Sequence, residues 1–344
     1  MKILFFYTEL ANYFVAGCKE LAKQAEVHVF RWPVNKEAPF EFEFGKLHVY
    51  DKNEYDYNQL ETKVKEINPD LMIFSGWIDG DYNKIAKAYN RKVPTIVAFD
   101  THWRGDLKQQ ILKIIAPIYL HKRFSHAWVP GQIQKDYALK LGFRNENIME
   151  GFYTCDVNYF NTIYQSTINE KSQQFPKRFL FVGRYYDFKG VKELWQAFIE
   201  LQNEMPNEWE LWCAGNGDIE PATHPKIKHL GFVQPQKMKE ILSKTGVFIL
   251  PSHFEPWGLV VHEHAAAGFP LLLSKNVGSV GVFLEENKNG FVFSGKEIND
   301  IKRVMKQIIL LNSSELIEMG KHSHLLAQKL NTEKWVQQLI NFKK

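Results

Sequence analysis

Apolar and polar positions along this chain follow two alternating patterns. Short apolar runs predict buried strands, and longer stretches with apolar residues three or four positions apart predict helices. The predicted strands cover residues 2–7, 26–30, 71–75, 95–99, 126–129, 178–182, 209–214, 227–230, 247–250, 271–274 and 290–293. The predicted helices lie near residues 15–24, 59–67, 85–89, 107–124, 133–141, 190–204, 235–243, 259–267, 299–311 and 313–330. Such alternation is typical of parallel sheets covered by helices on both faces.

A polar stretch without periodicity, residues 161–177, divides the pattern, and we interpret it as a linker. The first domain then comprises residues 1–160 and the second residues 178–330. Two domains agree with the length of 344 residues. A last helix in residues 331–344 is a candidate to pack back on the first domain. The predicted fold class is α/β, with two Rossmann-like, doubly wound domains facing each other across a cleft.

Composition excludes several classes of protein. A formal net charge of +4 and a pI near 8.7 do not amount to the dense basic patch of a nucleic-acid-binding protein, so no nucleic acid is expected. Three widely separated cysteines show neither metal-site spacing nor a disulfide framework, which indicates a reducing compartment. No apolar stretch reaches the length of a membrane span, and the N-terminus does not resemble a signal peptide. We therefore predict a cytoplasmic protein, with contact at the inner face of the membrane left open.

The most informative segment follows the predicted strand at residues 247–250. It contains Glu255 in a loop, Gly258 at the start of a helix, and Glu263 about a turn and a half inside that helix. A glycine that opens a helix lets an anion approach the backbone amides of the first turn, where the helix dipole favours negative charge. This arrangement suits a ligand with a phosphate in its middle and hydroxyl-rich groups at both ends. A sugar nucleotide has that shape.

A second group of residues follows the predicted strand at residues 178–182. Gly183 and Arg184 come first, and Lys189 and Gly190 stand just before a helix. Cations at the carboxyl end of a strand line the crevice where open α/β sheets bind ligands, and both side-chain types bind phosphate oxygens. A solvated surface loop is the simpler interpretation of either cation alone. The pair, standing ahead of the glutamate segment, favours phosphate binding.

Two turns in the second domain are candidates for backbone contacts to a nucleobase. Gly215 and Gly217 form a glycine turn after one strand, and Phe232 and Val233 follow the next strand. By itself such a turn is weak evidence, because most glycine turns only punctuate the chain.

Taken in order along residues 178–295, these motifs form one set: Gly183-Arg184, Lys189-Gly190, Gly215-Asn216-Gly217, Gly231-Phe232-Val233 and Glu255-x7-Glu263. The set resembles the retaining glycosyltransferases of family 4, among the glycosyl transferases group 1, which have the two-domain GT-B fold. The resemblance covers most of the second domain and is thinner in the first.

The resemblance implies catalytic and binding roles for the matching residues. Arg184 and Lys189 would hold the donor diphosphate and stabilise the leaving nucleoside diphosphate. Glu255 would lie near the donor sugar hydroxyls and the anomeric centre, and Glu263 would bind the ribose hydroxyls. The backbone amides at the helix start would touch phosphate, and they belong to Gly258, Leu259 and Val260. Such cations and amides stabilise charge on a leaving diphosphate without a metal, so no metal site is predicted.

The chain departs from the family pattern at three places. The loop after the first strand lacks the usual glycine pair, so Ala11, Asn12 or Tyr13 would have to provide the phosphate contact. Residues 278–282 stand where a glutamate is common. Trp257 replaces a smaller residue, and it either shapes the sugar pocket or simply packs.

Two further candidates lie in the first domain. His102 and Asp100 follow the predicted strand at residues 95–99, and the resemblance implies that one of them contacts the donor sugar. The alternative is a helix cap formed by Asp100 or Thr101. Residues 107–124 form a basic amphipathic stretch that either lies on an anionic membrane surface or packs as a core helix with a solvated basic face.

We therefore predict a retaining glycosyltransferase that uses a UDP- or GDP-sugar donor and needs no cofactor. The acceptor would be a saccharide or a lipid-linked saccharide, as in surface polysaccharide or glycolipid synthesis. Two other functions fit the same scaffold. One is a non-catalytic subunit that binds a nucleotide sugar, and the other is an epimerase or phosphorylase.

Overall fold

The structure, a computed structural model, describes residues 1–34 and 40–342. The chain forms two compact units. Unit 1 contains Met1–Thr154 together with Thr332–Lys344, and unit 2 contains Cys155–Asn331. The last two residues of the predicted segment 331–344 lie outside the described residues.

Unit 1 is built on a seven-stranded parallel sheet with the strand order β3-β2-β1-β4-β5-β6-β7. The strands are β1 (Lys2–Tyr7), β2 (Glu26–Arg31), β3 (His48–Asp51), β4 (Leu71–Ser75), β5 (Thr95–Ala98), β6 (His126–Val129) and β7 (Ile148–Glu150). The order reverses between β1 and β4, which is the switch point where open α/β sheets bind ligands.

Helices cover both faces of this sheet. They are α1 (Asn12–Leu21), α2 (Tyr57–Ile67), α3 (Gly80–Tyr89), α4 (Leu107–Tyr119) and α5 (Gln132–Lys140). One core cluster contains Phe6, Phe30 and Phe74, and the other contains Phe5 and Trp128. Successive strand residues point to opposite faces, so Phe5 and Phe6 of β1 enter different cores.

Unit 2 has a six-stranded parallel sheet with the strand order β10-β9-β8-β11-β12-β13. Its switch point lies between β8 and β11. The elements in chain order are α6 (Val157–Gln173), β8 (Arg178–Val182), α7 (Val191–Glu204), β9 (Glu210–Ala214), β10 (Ile227–Gly231), α8 (Pro235–Lys244), β11 (Val247–Leu250), α9 (Leu259–Ala266), β12 (Leu271–Ser274), α10 (Val280–Phe283), β13 (Gly290–Phe293), α11 (Ile298–Leu310) and α12 (Ser313–Ala327).

The last helix, α13 (Thr332–Ile340), belongs to unit 1 and packs against α1. Its Trp335 is 4% exposed and donates a hydrogen bond from Nε1 to the Phe152 carbonyl at 2.9 Å. The Trp335 ring also lies against Phe5 and Trp128. Unit 1 is therefore completed by residues from both ends of the chain.

The predicted linker at residues 161–177 is wrong, because α6 occupies most of it. Asp156 caps the helix by accepting a hydrogen bond from the Tyr159 amide at 3.0 Å. The buried stripe runs from Val157 to Lys171 at helical spacing, but it includes Thr167 and Lys171 itself. These two polar residues at buried positions hid the periodicity.

Three short elements were not predicted: β3, β7 and α10. β3 is a four-residue edge strand with the sequence His-Val-Tyr-Asp, so only one of its residues is aliphatic. β7 has only three residues. Edge strands need little apolar sequence, because one side faces solvent. The parallel α/β class and the other strands agree with the sequence prediction.

Candidate functional site

The loop after β8 is held by tight backbone contacts with the glycine turn after β9. Gly183 donates a hydrogen bond to the Ala214 carbonyl at 3.0 Å, and the Tyr185 amide donates to the Asn216 carbonyl at 2.8 Å. A Cβ on Gly215 would lie 1.9 Å from the Gly183 carbonyl oxygen, and Gly215 has a φ of +143°. The glycine at this position therefore fixes how closely the two loops approach.

Lys189 and Glu255 meet at the switch point of unit 2. The Lys189 Nζ lies 2.5 Å from Glu255 Oε2, and the two side chains are only 17% and 13% exposed. Ser252 is buried and donates a hydrogen bond to the same carboxylate oxygen at 3.2 Å. The structure thus brings together two residues that lie 66 positions apart in the sequence. Sequence reasoning did not single out Ser252, although its place directly after β11 was a usable signal.

A glycine allows the helix after this loop to begin beside the ion pair. Gly258 adopts the left-handed conformation with φ of +83° and leaves α9 without a side-chain cap. A Cβ there would lie 3.1 Å from Glu255 Cγ and 3.0 Å from Val277. The first-turn amides of α9 belong to Leu259 and Val260, which are the amides predicted to bind phosphate.

Glu263 lies inside α9, with protein around its carboxylate and part of the residue still accessible to solvent. Burial raises its pKa to about 7. Within the described parts of the chain, no side chain donates a hydrogen bond or forms an ion pair with it. A carboxylate held in this way is suited to accept hydrogen bonds from ligand hydroxyls.

The histidines on either side of Glu263 serve the packing of unit 2. His262 Nδ1 accepts a hydrogen bond from the Cys155 amide at 3.1 Å, and Nε2 donates to the Ala327 carbonyl at 2.9 Å. His264 donates from Nδ1 to the Val260 carbonyl and stacks on Phe248. Burial lowers the pKa of His262 to about 4 and that of His264 to about 3, so both rings are neutral.

Trp257 and residues 278–282, where unit 2 departs from the family pattern, pack against the loop that contains Glu255. Trp257 is 2% exposed and lies edge-on to Phe283, which favours packing over the sugar-pocket alternative. Ser279 donates its amide hydrogen bond to the Trp257 carbonyl at 3.0 Å. Gly278 donates its amide to the Glu255 carbonyl at 2.9 Å. Residues 278–282 therefore support the position of the Glu255 backbone.

The nucleobase candidates follow β9 and β10. With its side-chain amide turned, Asn216 accepts a hydrogen bond from the Phe232 amide at 3.3 Å. The Gly215 amide donates to the Gly231 carbonyl at 2.8 Å. The turn that contains Gly217 and the turn that contains Phe232 and Val233 therefore lie side by side.

The loop after β1 in unit 1 is tied to β4 rather than built from glycine. The Thr8 amide donates to Ser75 Oγ at 2.9 Å, directly across the β1–β4 switch point. α1 then begins after Ala11 without a side-chain cap, and the Asn12 side-chain nitrogen is buried without a hydrogen-bond partner in the described chain. Asn12 is thus the most conspicuous of the three predicted substitutes for the glycine pair.

His102 and Asp100 lie in a loop that α4 organises. The buried Gln109 donates a hydrogen bond to the His102 carbonyl at 2.8 Å and accepts from the Arg104 amide. Asp100 accepts a hydrogen bond from the Tyr153 hydroxyl at 3.3 Å. The predicted cap by Asp100 or Thr101 is wrong, because the helix begins later and Asp106 caps it.

α4 turns its apolar side outward. Only Gln109 and Ala116 are buried in this helix, which excludes the core-helix alternative. Large apolar side chains that are 46–76% exposed recur at helical spacing, namely Leu107, Ile111, Ile114, Ile115 and Ile118. Exposed Lys108 and Lys113 flank this arc. Across the described residues, no helix is both long and apolar enough to span a membrane.

Residues 165–324 match the family model for glycosyl transferases group 1. Unit 2 is therefore similar to the glycosyl transferases group 1 over most of its length. The match runs from the middle of α6 through most of α12, and it includes every site residue predicted in unit 2. It confirms the resemblance to glycosyl transferases group 1 that the ordered motifs indicated, and the assignment to family 4 stays a prediction.

Relatives of the group 1 domain include a glycogen synthase of Mycobacterium tuberculosis, 28% identical over 143 residues. That match covers 39% of this chain and spans about a third (34%) of the relative's length. A processive diacylglycerol beta-glucosyltransferase of Bacillus licheniformis is 21% identical over 330 residues, covering 85% of this chain and 80% of that protein.

The fold of the whole chain is similar to that of Anabaena HepE, solved in complex with UDP and glucose. The TM-score is 0.75 at 16% sequence identity, and the similarity covers 99% of this chain and 98% of HepE. The predicted fold class, two Rossmann-like α/β domains of the GT-B type, is confirmed.

Proposed function

We propose that this protein is a retaining glycosyltransferase that moves a sugar from a nucleoside diphosphate sugar to an acceptor hydroxyl. The carrying observation is the partly buried Glu263 carboxylate, which has no partner in the described chain and lies on the helix that follows Gly258. Holding an ionisable group away from most of the solvent without a partner costs stability, and a ligand that pairs with the group offsets this cost. Ribose hydroxyls are hydrogen-bond donors of the required kind.

The other residues of unit 2 supply the charges that the reaction needs. Cleavage of the bond to the diphosphate places negative charge on phosphate oxygens. Lys189 and the amides at the start of α9 are positioned to stabilise that charge, and Arg184 adds a guanidinium from the same loop as Lys189. Glu255, held by Lys189 and Ser252, is left to accept hydrogen bonds from the donor sugar.

A UDP-sugar is the proposed donor. HepE, with the same fold, has been solved with UDP and glucose, and its sequence identity of 16% supports the fold rather than the ligand. A GDP-sugar remains the alternative that the sequence allowed. Same-face attack, in which the leaving diphosphate helps to take the acceptor proton, is the proposed route, and His102 is proposed to contact the donor sugar.

Donor binding should depend on the ionisation of Glu263. Its pKa of about 7 lies above the ordinary value of 4.5, so the free protein keeps the proton below about pH 7. As the pH rises from about 4.5 to about 7, the free protein loses stability, because folded Glu263 still holds the proton that unfolded Glu263 has released. The ionised carboxylate is the better hydrogen-bond acceptor. UDP-glucose affinity is therefore expected to rise between pH 6 and pH 8.

Calorimetry with UDP-glucose on Glu263→Gln tests this assignment. Hydrogen bonds to a charged group contribute about 1.5–3 kcal/mol each, so we expect an affinity loss of about 100-fold at pH 8. The rise in affinity with pH should also disappear. Glu170→Gln, an exposed position on α6, is the matched control and should bind as the wild type does. Equal affinity of Glu263→Gln and wild type would refute the ribose assignment.

Arg184→Ala separates catalysis from binding. We expect turnover to fall about 10²–10³-fold, as when one charge-stabilising donor is removed, while UDP-glucose still binds. NMR of the product should show the anomeric configuration of the donor. UDP-glucose binding without transfer to any saccharide or lipid-linked acceptor would favour the non-catalytic alternative. A sugar phosphate or an epimer formed without an acceptor would favour a phosphorylase or an epimerase.

We further propose that α4 rests on the inner, cytoplasmic face of an anionic membrane and so brings the enzyme to a lipid-linked acceptor. The exposed aliphatic arc fits the acyl boundary, and Lys108 and Lys113 fit anionic head groups. A relative that covers most of this chain has diacylglycerol in its name, which supports a lipid acceptor. Surface polysaccharide or glycolipid synthesis would use such an acceptor.

Vesicle sedimentation tests the membrane contact. The wild type should bind vesicles with phosphatidylglycerol more strongly than neutral phosphatidylcholine vesicles, and salt should weaken binding. The double variant Ile114→Gln with Ile118→Gln should lose most of this binding. Leu310→Gln, which changes an equally exposed side chain on α11, is the control. Retained binding in the double variant would remove α4 from the contact, whatever the outcome for UDP-glucose.

A further inference from the structure

A group of metal-ligand residues lies at the amino edge of the sheet in unit 1. Glu26 and His28 stand two positions apart in β2 and so share one face of the sheet. His48 of the edge strand β3 is the register partner of His28, which places its side chain on the same face. One ligand atom from each residue lies within 4.8 Å of the other two.

The three side chains differ in burial and in how firmly hydrogen bonds hold them. His28 is almost fully buried, and its two ring nitrogens lie 2.9 Å from Glu26 Oε1 and 3.1 Å from the Tyr50 hydroxyl. His48 is exposed, and its ring nitrogens form no hydrogen bond with a described residue. The two rings stack at 4.6 Å. His28 is thus a fixed ligand, and His48 is free to rotate its ring until a nitrogen faces the same point.

We propose that Glu26, His28 and His48 bind a zinc ion. Two imidazoles and one carboxylate form a common three-ligand set for Zn²⁺, with water completing the tetrahedron. The Tyr50 hydroxyl on the second nitrogen of His28 provides the outer-sphere hydrogen bond that orients a metal-bound histidine. The group lies at the amino ends of the strands, whereas the candidate donor residues follow carboxyl ends. Zinc here would therefore act on the fold rather than on sugar transfer.

The proposed ion would fasten the edge strand to the sheet. β3 has only four residues and, within residues 1–34 and 40–342, pairs only with β2, so few backbone hydrogen bonds hold it. An ion shared between His28 and His48 would join the two strands by side chains as well. Lys2 Nζ lies 3.7 Å from Glu26 and would have to give up this contact, since both cations compete for the carboxylate.

Zinc calorimetry on the tag-free full-length protein tests the site. The wild type should bind one zinc ion per chain. His48→Ala should weaken binding at least tenfold, because it removes a direct ligand at an exposed position where folding is not at risk. Tyr50→Phe should weaken it about tenfold, as the loss of an outer-sphere partner does. Zinc should raise the Tm of the wild type and leave that of His48→Ala unchanged.

His322→Ala is the matched control. His322 Nε2 also lies 3.0 Å from a glutamate, Glu285. Among the described residues, however, this pair has no third metal-ligand side chain close enough to complete a metal site. It should bind zinc as the wild type does. Equal zinc affinity in wild type and His48→Ala, or no zinc binding at 100-fold molar excess over protein, would overturn the proposal. Unchanged UDP-glucose binding in His48→Ala would separate this site from the donor site.

Discussion

Both units contain a parallel sheet, but different residue types form the loops at their switch points. In unit 2, glycines let the loops after β8 and β9 touch, and the Lys189–Glu255 pair closes the gap between β8 and β11. In unit 1, the loop after β1 has no glycine before Gly17, and Thr8 is tied to Ser75 by hydrogen bonds. The switch point of unit 2 is therefore built from glycine turns and an ion pair, as the proposed phosphate site requires, whereas unit 1 fills the corresponding position with side chains.

This difference explains where sequence motifs are informative. A site made of glycine turns and charged residues appears in the sequence as fixed spacing, because each residue type has a distinct steric or electrostatic task. A site made of ordinary side chains has no such spacing. Substitutions that act on one unit at a time test this difference between the two switch points.

The largest expected effect is that of Gly215→Ala in unit 2. The added Cβ would lie 1.9 Å from the Gly183 carbonyl oxygen, and alanine disfavours a φ of +143°. The two loops cannot separate without breaking the Gly183–Ala214 and Tyr185–Asn216 hydrogen bonds. We expect a loss of upwards of about 5 kcal/mol in the free energy of unfolding, measured by urea denaturation.

Gly281→Ala is the control for this substitution. Gly281 lies in α10, and its φ is not in the left-handed region. Apart from its chain neighbours and its own helix, no described residue lies within 4 Å of the Cβ position. The change should leave stability within about 1 kcal/mol of the wild type, in the stabilising direction if any. A similar small effect for Gly215→Ala would show that the loops of unit 2 are not close-packed.

The matching test in unit 1 is Trp335→Ala on α13. The substitution removes a buried indole that packs on Phe5 and Trp128, and it leaves the Phe152 carbonyl without its donor. Large-to-small changes of this kind cost about 3–5 kcal/mol, and we expect the upper part of that range by urea denaturation. Gln337→Ala, at an exposed position of α13, should cost less than about 1 kcal/mol. Equal effects would mean that α13 does not stabilise unit 1.

The sequence anticipated the parallel sheets because apolar strands such as β4 and β11 are buried on both faces and form continuous apolar runs. It missed α6 because Lys171 occupies a buried position, where charged residues are rare. The family resemblance assigned Lys189 to the donor diphosphate and Glu255 to the donor sugar. Their direct ion pair and the hydrogen bond from Ser252 depend on three-dimensional contacts that the sequence did not predict. Local spacing predicts elements and loops, but it does not predict which polar residues become buried.

Lys171→Met tests the buried charged residue that interrupts the apolar pattern of α6. Lys171 is 6% exposed, its Nζ lies 3.8 Å above the Phe269 ring, and burial lowers its pKa to about 7. The unfolded chain therefore binds the proton more tightly, and wild-type stability should rise from pH 7 to pH 10. After allowance for the lost contact with Phe269, methionine should stabilise unit 2 by on the order of 3 kcal/mol at pH 7.

The pH series provides the decisive control for this prediction. The advantage of Lys171→Met should shrink as the pH rises towards 10.5, where the folded lysine is neutral and half of the unfolded chains have also lost the proton. Lys329→Met, at an exposed position just beyond α12, is the matched control and should change stability by less than about 1 kcal/mol. An advantage that stays constant from pH 7 to pH 10 would mean that packing, rather than the cost of burying a charge, distinguishes the variant.

The smallest expected effect is that of Ile114→Gln on α4, measured without vesicles. Ile114 is 76% exposed, and glutamine is at least as good a helix former as isoleucine, so stability should stay within about 0.5 kcal/mol of the wild type. The same change at Ile301, fully buried on α11 in unit 2, buries an amide in the core and should cost more than about 3 kcal/mol. A loss of 2 kcal/mol or more at Ile114 would show that protein, rather than lipid, covers this face of α4. A negligible loss, combined with weaker vesicle binding by the double variant, would mean that the apolar arc contributes to membrane contact and not to folding.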